Sequence, residues 1–169
     1  MTDKEKSIYR DIIHLLTDNT TVHENLEKCL ESSKGYLISN FDRFDERGMD
    51  ADDNEHDIVW IAIVDELLET GKVVELDCRV ELEDFLYAFQ PLVEDAGLEL
   101  LDKWFDEDES VPQWCNILDK KWLSKDAYVV GIDIDSDSYV IFPSQRETLK
   151  KLVLLGKQLN HRIDLAKNL

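Results

Sequence analysis

Ala127–Phe142 reads AYVVGIDIDSDSYVIF, and its pattern decides the fold class. Val130, Ile132 and Ile134 alternate with Gly131, Asp133 and Asp135, the period of two that a half-buried strand requires. Ser136–Asp137 suits a tight turn, and Tyr139–Phe142 returns. The spacing predicts a hairpin with Val130, Ile132, Ile134 and either Val140 or Phe142 turned toward helices. A lone two-stranded ribbon is marginal in water, so a third strand is required. Lys72–Asp77 (KVVELD) is the other strong strand, and Val73–Leu76 is expected to join the hairpin.

The flanks read as helices. Downstream, Ser144 and Glu147 form a capping box, and Leu149, Leu152, Val153, Leu159 and Ile163 make one face of a long last helix, about Gln145–Arg162. Upstream, capping boxes at Thr2/Glu5 and Thr21/Glu24 open two short antiparallel helices, with Gly35 as a stop for the second. Tyr36, Leu37, Phe41 and Phe44 continue an apolar face. Asp42–Asp57 has eight acidic residues and two basic ones, and reads as a solvated loop. Asn54 then caps a central helix through Ile58–Leu68 that ends at Gly71, with Asp57 favouring the helix dipole. Leu82, Phe85, Leu86 and Phe89 make a helix that Pro91 should stop or bend near Gln90. Leu98, Leu101, Trp104 and Phe105 supply a short apolar stripe, and Asp106–Glu109 an acidic loop. Ser110 with Gln113, and Pro112 in the first turn, open a helix carrying Trp114, Leu118 and Trp122. The expected fold is α+β: a mainly helical single domain over residues 1–169 with a small three-stranded sheet including a C-terminal hairpin, followed by a long last helix.

Charge is the other informative property. The chain has 38 Asp plus Glu against 19 Lys plus Arg, a net −19. Residues 146–169 are locally +4, which leaves −23 on the first 145. Such a field repels nucleic acid and anionic membrane and attracts a basic protein. With 43% hydrophobic residues the chain is too apolar for a disordered acidic tail. Its longest apolar run, Ile58–Val64, falls far short of the ~20 residues that span a bilayer. Cys29, Cys78 and Cys115 are scattered and unpaired in pattern, as expected of reduced thiols in a cytoplasmic protein.

Few motifs carry chemistry. There is no G-x-S-x-G elbow, no H-E-x-x-H helix and no glycine-rich phosphate cradle. Asp133, Asp135 and Asp137 form the densest cluster. An EF-hand loop starting at Asp133 would need Gly at its sixth position and Glu at its twelfth, where Ser138 and Ser144 stand. The cluster is thus first a strand's solvent face and its turn, with divalent-cation binding as an alternative. Asp52, Asp53 and His56 could be drawn as metal ligands, but nothing fixes their geometry. His14 lies one turn from Asp18, and His161 falls on the expected last helix. The four tryptophans sit on apolar stripes, which points to core packing.

Val73–Phe89 (VVELDCRVELEDFLYAF) and Tyr128–Pro143 (YVVGIDIDSDSYVIFP) resemble paired blocks of an uncharacterised family of small acidic bacterial domains of unknown function. There a strand ending in L-D leads to an acidic helix, and a D-S-D-S-Y hairpin, here Asp135–Tyr139, leads to the last helix. The resemblance implies a bacterial cytoplasmic α+β protein and transfers no catalytic residue. By size and charge the chain is also similar to immunity proteins that neutralise basic toxins.

The expected function is therefore a non-enzymatic, cofactor-free module that binds a basic protein such as a toxin, with carboxylates standing in for the phosphates of the toxin's substrate. The residues expected at that contact are Asp50, Asp52, Asp53, Glu55 and Asp57, Asp106, Glu107, Asp108 and Glu109, and Asp133, Asp135 and Asp137. The alternatives are a nucleic-acid mimic that inhibits a DNA-binding enzyme, and a hydrolase or transferase using a divalent cation on Asp133, Asp135 and Asp137. An acidic body with a basic last helix is also self-complementary, which leaves a salt-sensitive homodimer open.

Overall fold

The computed structural model describes residues 1–169 and is α+β, with eight α-helices and one four-stranded sheet. Its contacts gather in two compact units, Met1–Thr70 and Gly71–Leu169.

The first unit is all helix: α1 (Asp3–Leu16), α2 (Thr20–Glu31), α3 (Ser33–Ser39), α4 (Phe41–Glu46) and α5 (Glu55–Glu69). The Thr2 box closes as the sequence implies, with Glu5 Oε2 accepting from the Thr2 N–H at 2.6 Å. The second helix starts differently. Asn19, not Thr21, is its cap, its Oδ1 accepting from the Thr21 and Val22 N–H groups. Gly35 is no stop either. It lies inside α3, where Ser32 Oγ accepts from its N–H at 3.2 Å. Asp42–Asp57 is only partly a loop, because α4 runs to Glu46 and α5 begins at Glu55. The burial of Phe44, which is fully covered, outweighs the charge around it. Every residue of Ile58–Leu67 is buried, so α5 is central to this unit, and α2 and α3 pack on it.

The second unit is a three-layer sandwich. Its strands β1 (Val74–Asp77), β2 (Ala127–Ile132), β3 (Ser138–Gln145) and β4 (Ile163–Leu165) run in the order β1-β3-β2-β4, all neighbours antiparallel. β1 joins β3 as expected, with Leu76 opposite Tyr139, and Ile132 stands opposite Val140. The expected register holds for Val130 and Ile132, but β2 ends at Ile132 and leaves Ile134 half-buried in the connection that follows. Val130, Ile132, Val140 and Phe142 are buried on one face. Val129, Ile141 and Leu76 are buried on the other, in one cluster with Phe85, Phe89, Trp114 and Trp122. Phe85 and Phe89 come from α6 (Leu82–Asp95), Trp114 from α7 (Val111–Lys121) and Trp122 from the C-cap of α7, and these two helices cover that face. The opposite face meets α8 (Arg146–Gln158), whose Gly156 lies against Ile163, the partner of Ile132. β2 is therefore buried on both faces, which its half-buried pattern did not reveal.

Three expectations are corrected here. The sheet has four strands because the last helix is shorter than its apolar stripe. It ends in a Schellman motif: Asn160 is left-handed (φ 61°), the His161 N–H donates to Gly156 O and the Asn160 N–H to Lys157 O. Ile163 then enters β4 instead of the helix. The cap of α8 is Gln145, with no side-chain hydrogen bond, so the Ser144 box does not form. Pro91 does not stop α6, which runs on to Asp95. The proline removes the donor to the Tyr87 carbonyl and costs on the order of 3 kcal/mol. Burial of Leu92 and Val93 just beyond it offsets that loss.

Trp60, Trp114 and Trp122 are core residues, while Trp104 is half-buried with Lys121 Nζ 5.1 Å from its ring centre. Cys29 and Cys115 are buried and Cys78 is exposed. Burial pushes the Cys29 thiol up to about 12. No helix is long and apolar enough to cross a membrane.

Candidate functional site

The β2–β3 connection is wider than the tight turn its sequence suggests. It spans five residues, 133–137, between the strand ends. Asp133 anchors it twice: its N–H donates to Arg162 O at 3.0 Å, and its Oδ1 accepts from the Asp135 N–H at 2.9 Å. Asp135 is left-handed (φ 56°), a conformation that Asp tolerates better than most residues. Ser136 Oγ accepts from the Ser138 N–H at 3.1 Å and starts β3. These local bonds leave Asp135, Ser136 and Asp137 exposed.

The β1–β3 register brings in what lies across from the turn. Asp77 stands opposite Ser138, so Cys78 emerges beside Asp137. Asp77 Oδ1 accepts from the Arg79 N–H at 2.8 Å and turns the chain there. Leu169 closes another side by lying on Gly131, where a Cβ would come within 2.3 Å of Leu169 Cδ1. The result is an open cleft of about 370 Å³, lined by Asp133, Asp135, Asp137, Cys78, Tyr139 and Leu169 with the two serines between.

The cleft is acidic with one internal cation nearby. Arg162 reaches Asp133 at 3.9 Å and Asp164 at 3.6 Å, which offsets part of the charge at the turn's base. Partial burial, and then the neighbouring Cys78 and Cys115 thiols, raise the Tyr139 hydroxyl above its ordinary range, so it stays a neutral donor. Such a lining can take a guanidinium or ammonium group between carboxylates, against an aromatic wall. No histidine lines it to serve as a base for the Cys78 thiol. Nowhere in the chain do three or more His, Cys, Asp or Glu side chains gather as a group able to hold a metal ion. Asp133, Asp135 and Asp137 share the cleft without gathering into such a group.

The other expected contact residues lie elsewhere. Asp50, Asp52 and Asp53 sit in the loop before α5, tied by the Asp50 N–H to Asp53 Oδ2 and the Asp52 N–H to Asp50 Oδ1, both 2.7 Å. Glu55 and Asp57 belong to the first turn of α5. Asp106, Glu107 and Asp108 are exposed and Glu109 is half-buried. Their loop is held by Trp114 Nε1 donating to Asp106 O at 2.9 Å. None of these lines the cleft. His56 is hydrogen-bonded to Tyr9 at 3.1 Å, and His14 stacks on His23 with ring centres 4.4 Å apart.

Sequence reasoning missed the buried carboxylates. Glu66 is 4% exposed and accepts from Asn25 at 2.8 Å, Tyr36 at 2.8 Å and Arg43 at 2.9 Å. Burial alone would favour its neutral form, but the bonds from Asn25, Arg43 and Tyr36 outweigh it and hold the carboxyl below its ordinary value. Beside it, Asp65 Oδ1 receives Arg47 Nε and Nη2 at 2.9 and 2.6 Å. In the second unit, Asp119, 3% exposed, accepts from the Val129 N–H at 2.9 Å and pairs with Lys167 at 2.9 Å. Each of these has dedicated donors and serves the fold. Their only sequence signal is a carboxylate inside an apolar run, as in IVDELL of α5.

Comparison with curated proteins finds no match, and comparison with solved structures finds none either. The model of a family described as a domain of unknown function, DUF6630, matches residues 8–166, nearly the whole chain and both units. On that coverage the chain belongs to the DUF6630 family.

Proposed function

We propose that the protein is a non-enzymatic binding module that engages a basic protein through the cleft at the β2–β3 turn, in the manner of an immunity protein neutralising a basic toxin. The observation that carries this reading is the cleft itself: about 370 Å³, open, with three aspartates and a neutral tyrosine. That volume suits an arginine or lysine side chain, and the fixed turn holds the carboxylates in place before the partner arrives, which limits the entropy lost on binding. The exposed Asp106–Asp108 loop and the Asp50–Asp53 loop add to the field that steers a basic partner. Occlusion is the mechanism: carboxylates occupy the partner's cationic groups, so they no longer meet their own substrate.

An arginine-rich peptide is a sufficient probe. Calorimetric titration is expected to show binding in dilute salt that falls about tenfold or more when Asp133, Asp135 and Asp137 are all replaced by Asn. Equal affinity for the two proteins would remove the cleft from the account.

A further inference from the structure

Two helices on opposite faces of the second unit's sheet carry outer stripes of one plan and opposite charge. On α6, Glu83, Asp84, Tyr87, Pro91, Glu94 and Asp95 are exposed. At 3.6 residues per turn they fall within one arc of about 120°. Tyr87, 84% exposed, stands between the two acidic pairs. On α8, Lys150, Lys151, Leu154 and Lys157 occupy a similar arc, and Leu154 is 63% exposed between the lysines. Glu147, one turn before Lys150 on the same arc, pairs with it at 2.8 Å and offsets one of these charges. The acidic pairs lie about 16 Å apart along α6 and the lysines about 10 Å apart along α8, a difference that lysine side chains can span.

We infer that α8 of one copy of this chain docks on α6 of a second copy, with Leu154 against Tyr87 and the lysines between the two acidic pairs. The pairing of an apolar centre with flanking charge selects this occupant. A phosphate backbone would meet the lysines and leave Leu154 in water, whereas the α6 stripe satisfies both. Net charge opposes the approach of two such chains, but that repulsion is screened beyond about 10 Å at 0.1 M salt while the contact pairs lie inside it. Because the stripes lie on opposite faces of one sheet, the contact is heterologous, and growth continues head to tail unless the rotation closes a ring. Two helix stripes bury less than the roughly 1,200 Å² of a standard interface, so the association is weak and concentration-dependent. None of the cleft residues takes part, so this inference and the cleft reading stand or fall separately.

Sedimentation of the full chain from micromolar to millimolar concentration tests it. The mass is expected to rise with concentration at about 0.1 M salt and to rise less at about 0.5 M. Reversing α8 (Lys150→Glu, Lys151→Glu, Lys157→Glu) or α6 (Glu83→Lys, Asp84→Lys, Glu94→Lys, Asp95→Lys) should each weaken association about tenfold or more. An equimolar mixture of the two reversed proteins should associate again, since each then meets its complement. Should a reversed protein fail to fold, Leu154→Asp and Tyr87→Ser remove the apolar centre alone and should each weaken association severalfold. A wild type that stays monomeric throughout, an association that no such variant weakens, or a mixture of folded variants that stays monomeric overturns the inference.

Discussion

Glu66 and Asp135 are both carboxylates in a chain that has 38 acidic side chains, and they have opposite fates. Glu66 lies inside the first unit with three side-chain donors around it. Asp135 stands exposed on a turn whose backbone is fixed by its neighbours. The first has its donors assigned within the fold, whereas the second keeps its charge at the surface, where a cation from another molecule can reach it. The difference teaches that carboxylates in this protein cannot be ranked by sequence density. Burial and partners separate those that hold the fold from those free to bind.

The contrast breaks most readily at Glu66. Glu66→Ala would leave the Arg43 guanidinium, the Asn25 amide and the Tyr36 hydroxyl without their shared acceptor. The expected loss is about 3–5 kcal/mol in urea unfolding, the cost typical of breaking a buried ion pair from one side. A loss below about 1 kcal/mol would show that Glu66 is no more built in than a surface residue. The same residue predicts an acid limb. Its folded carboxyl titrates below the ordinary 4.5, so the unfolded chain binds the proton more readily. Its contribution is present above pH 4.5 and lost as pH falls through the folded value. Glu66→Gln should therefore flatten the stability profile below pH 4.5, and an unchanged profile would contradict the assignment.

A smaller effect is expected at the cleft wall. Gly131→Ala places a Cβ 2.3 Å from Leu169 Cδ1 and 3.2 Å from the Ala166 Cα, so the C-terminal segment must shift. A loss of about 1–3 kcal/mol is expected in thermal or urea unfolding, as for an overpacked core. Wild-type stability would mean that Leu169 is not held there.

The least effect belongs to the turn. Asp135→Asn with Asp137→Asn should leave stability within about 0.5 kcal/mol, as for surface changes that break no cap or network. A larger loss would place these aspartates with Glu66, as parts of the fold.

Much of this was legible from short-range rules. The hairpin register, the joining of Val73–Leu76 to it, the Thr2 and Ser110 capping boxes, the Asn54 cap and the burial of α5 all follow from periodicity and local hydrogen bonding. Errors arose where a tertiary contact overrode the local signal. Asn160 could have been read as a helix stop, but the apolar stripe running on to Ile163 concealed it, and with it the fourth strand. Pro91 reads as a stop or a bend, and only the burial of Leu92 and Val93 beyond it excludes the stop. The site was half legible. Its three aspartates are visible as a cluster, but Cys78 and Tyr139 reach it through strand register, and Leu169 through close approach to Gly131, none of which local spacing encodes.

The most direct test of the cleft is kinetic. A basic protein captured by this chain from its source cell, once purified, should associate at a rate that falls steeply as salt rises from about 0.05 to about 0.5 M, where screening shortens from roughly 14 to 4 Å. Replacing Asp133, Asp135 and Asp137 together by Asn should lower that rate at low salt and flatten its dependence. A rate indifferent to both salt and the three substitutions would contradict the account and leave the acidic surface a role in solubility alone.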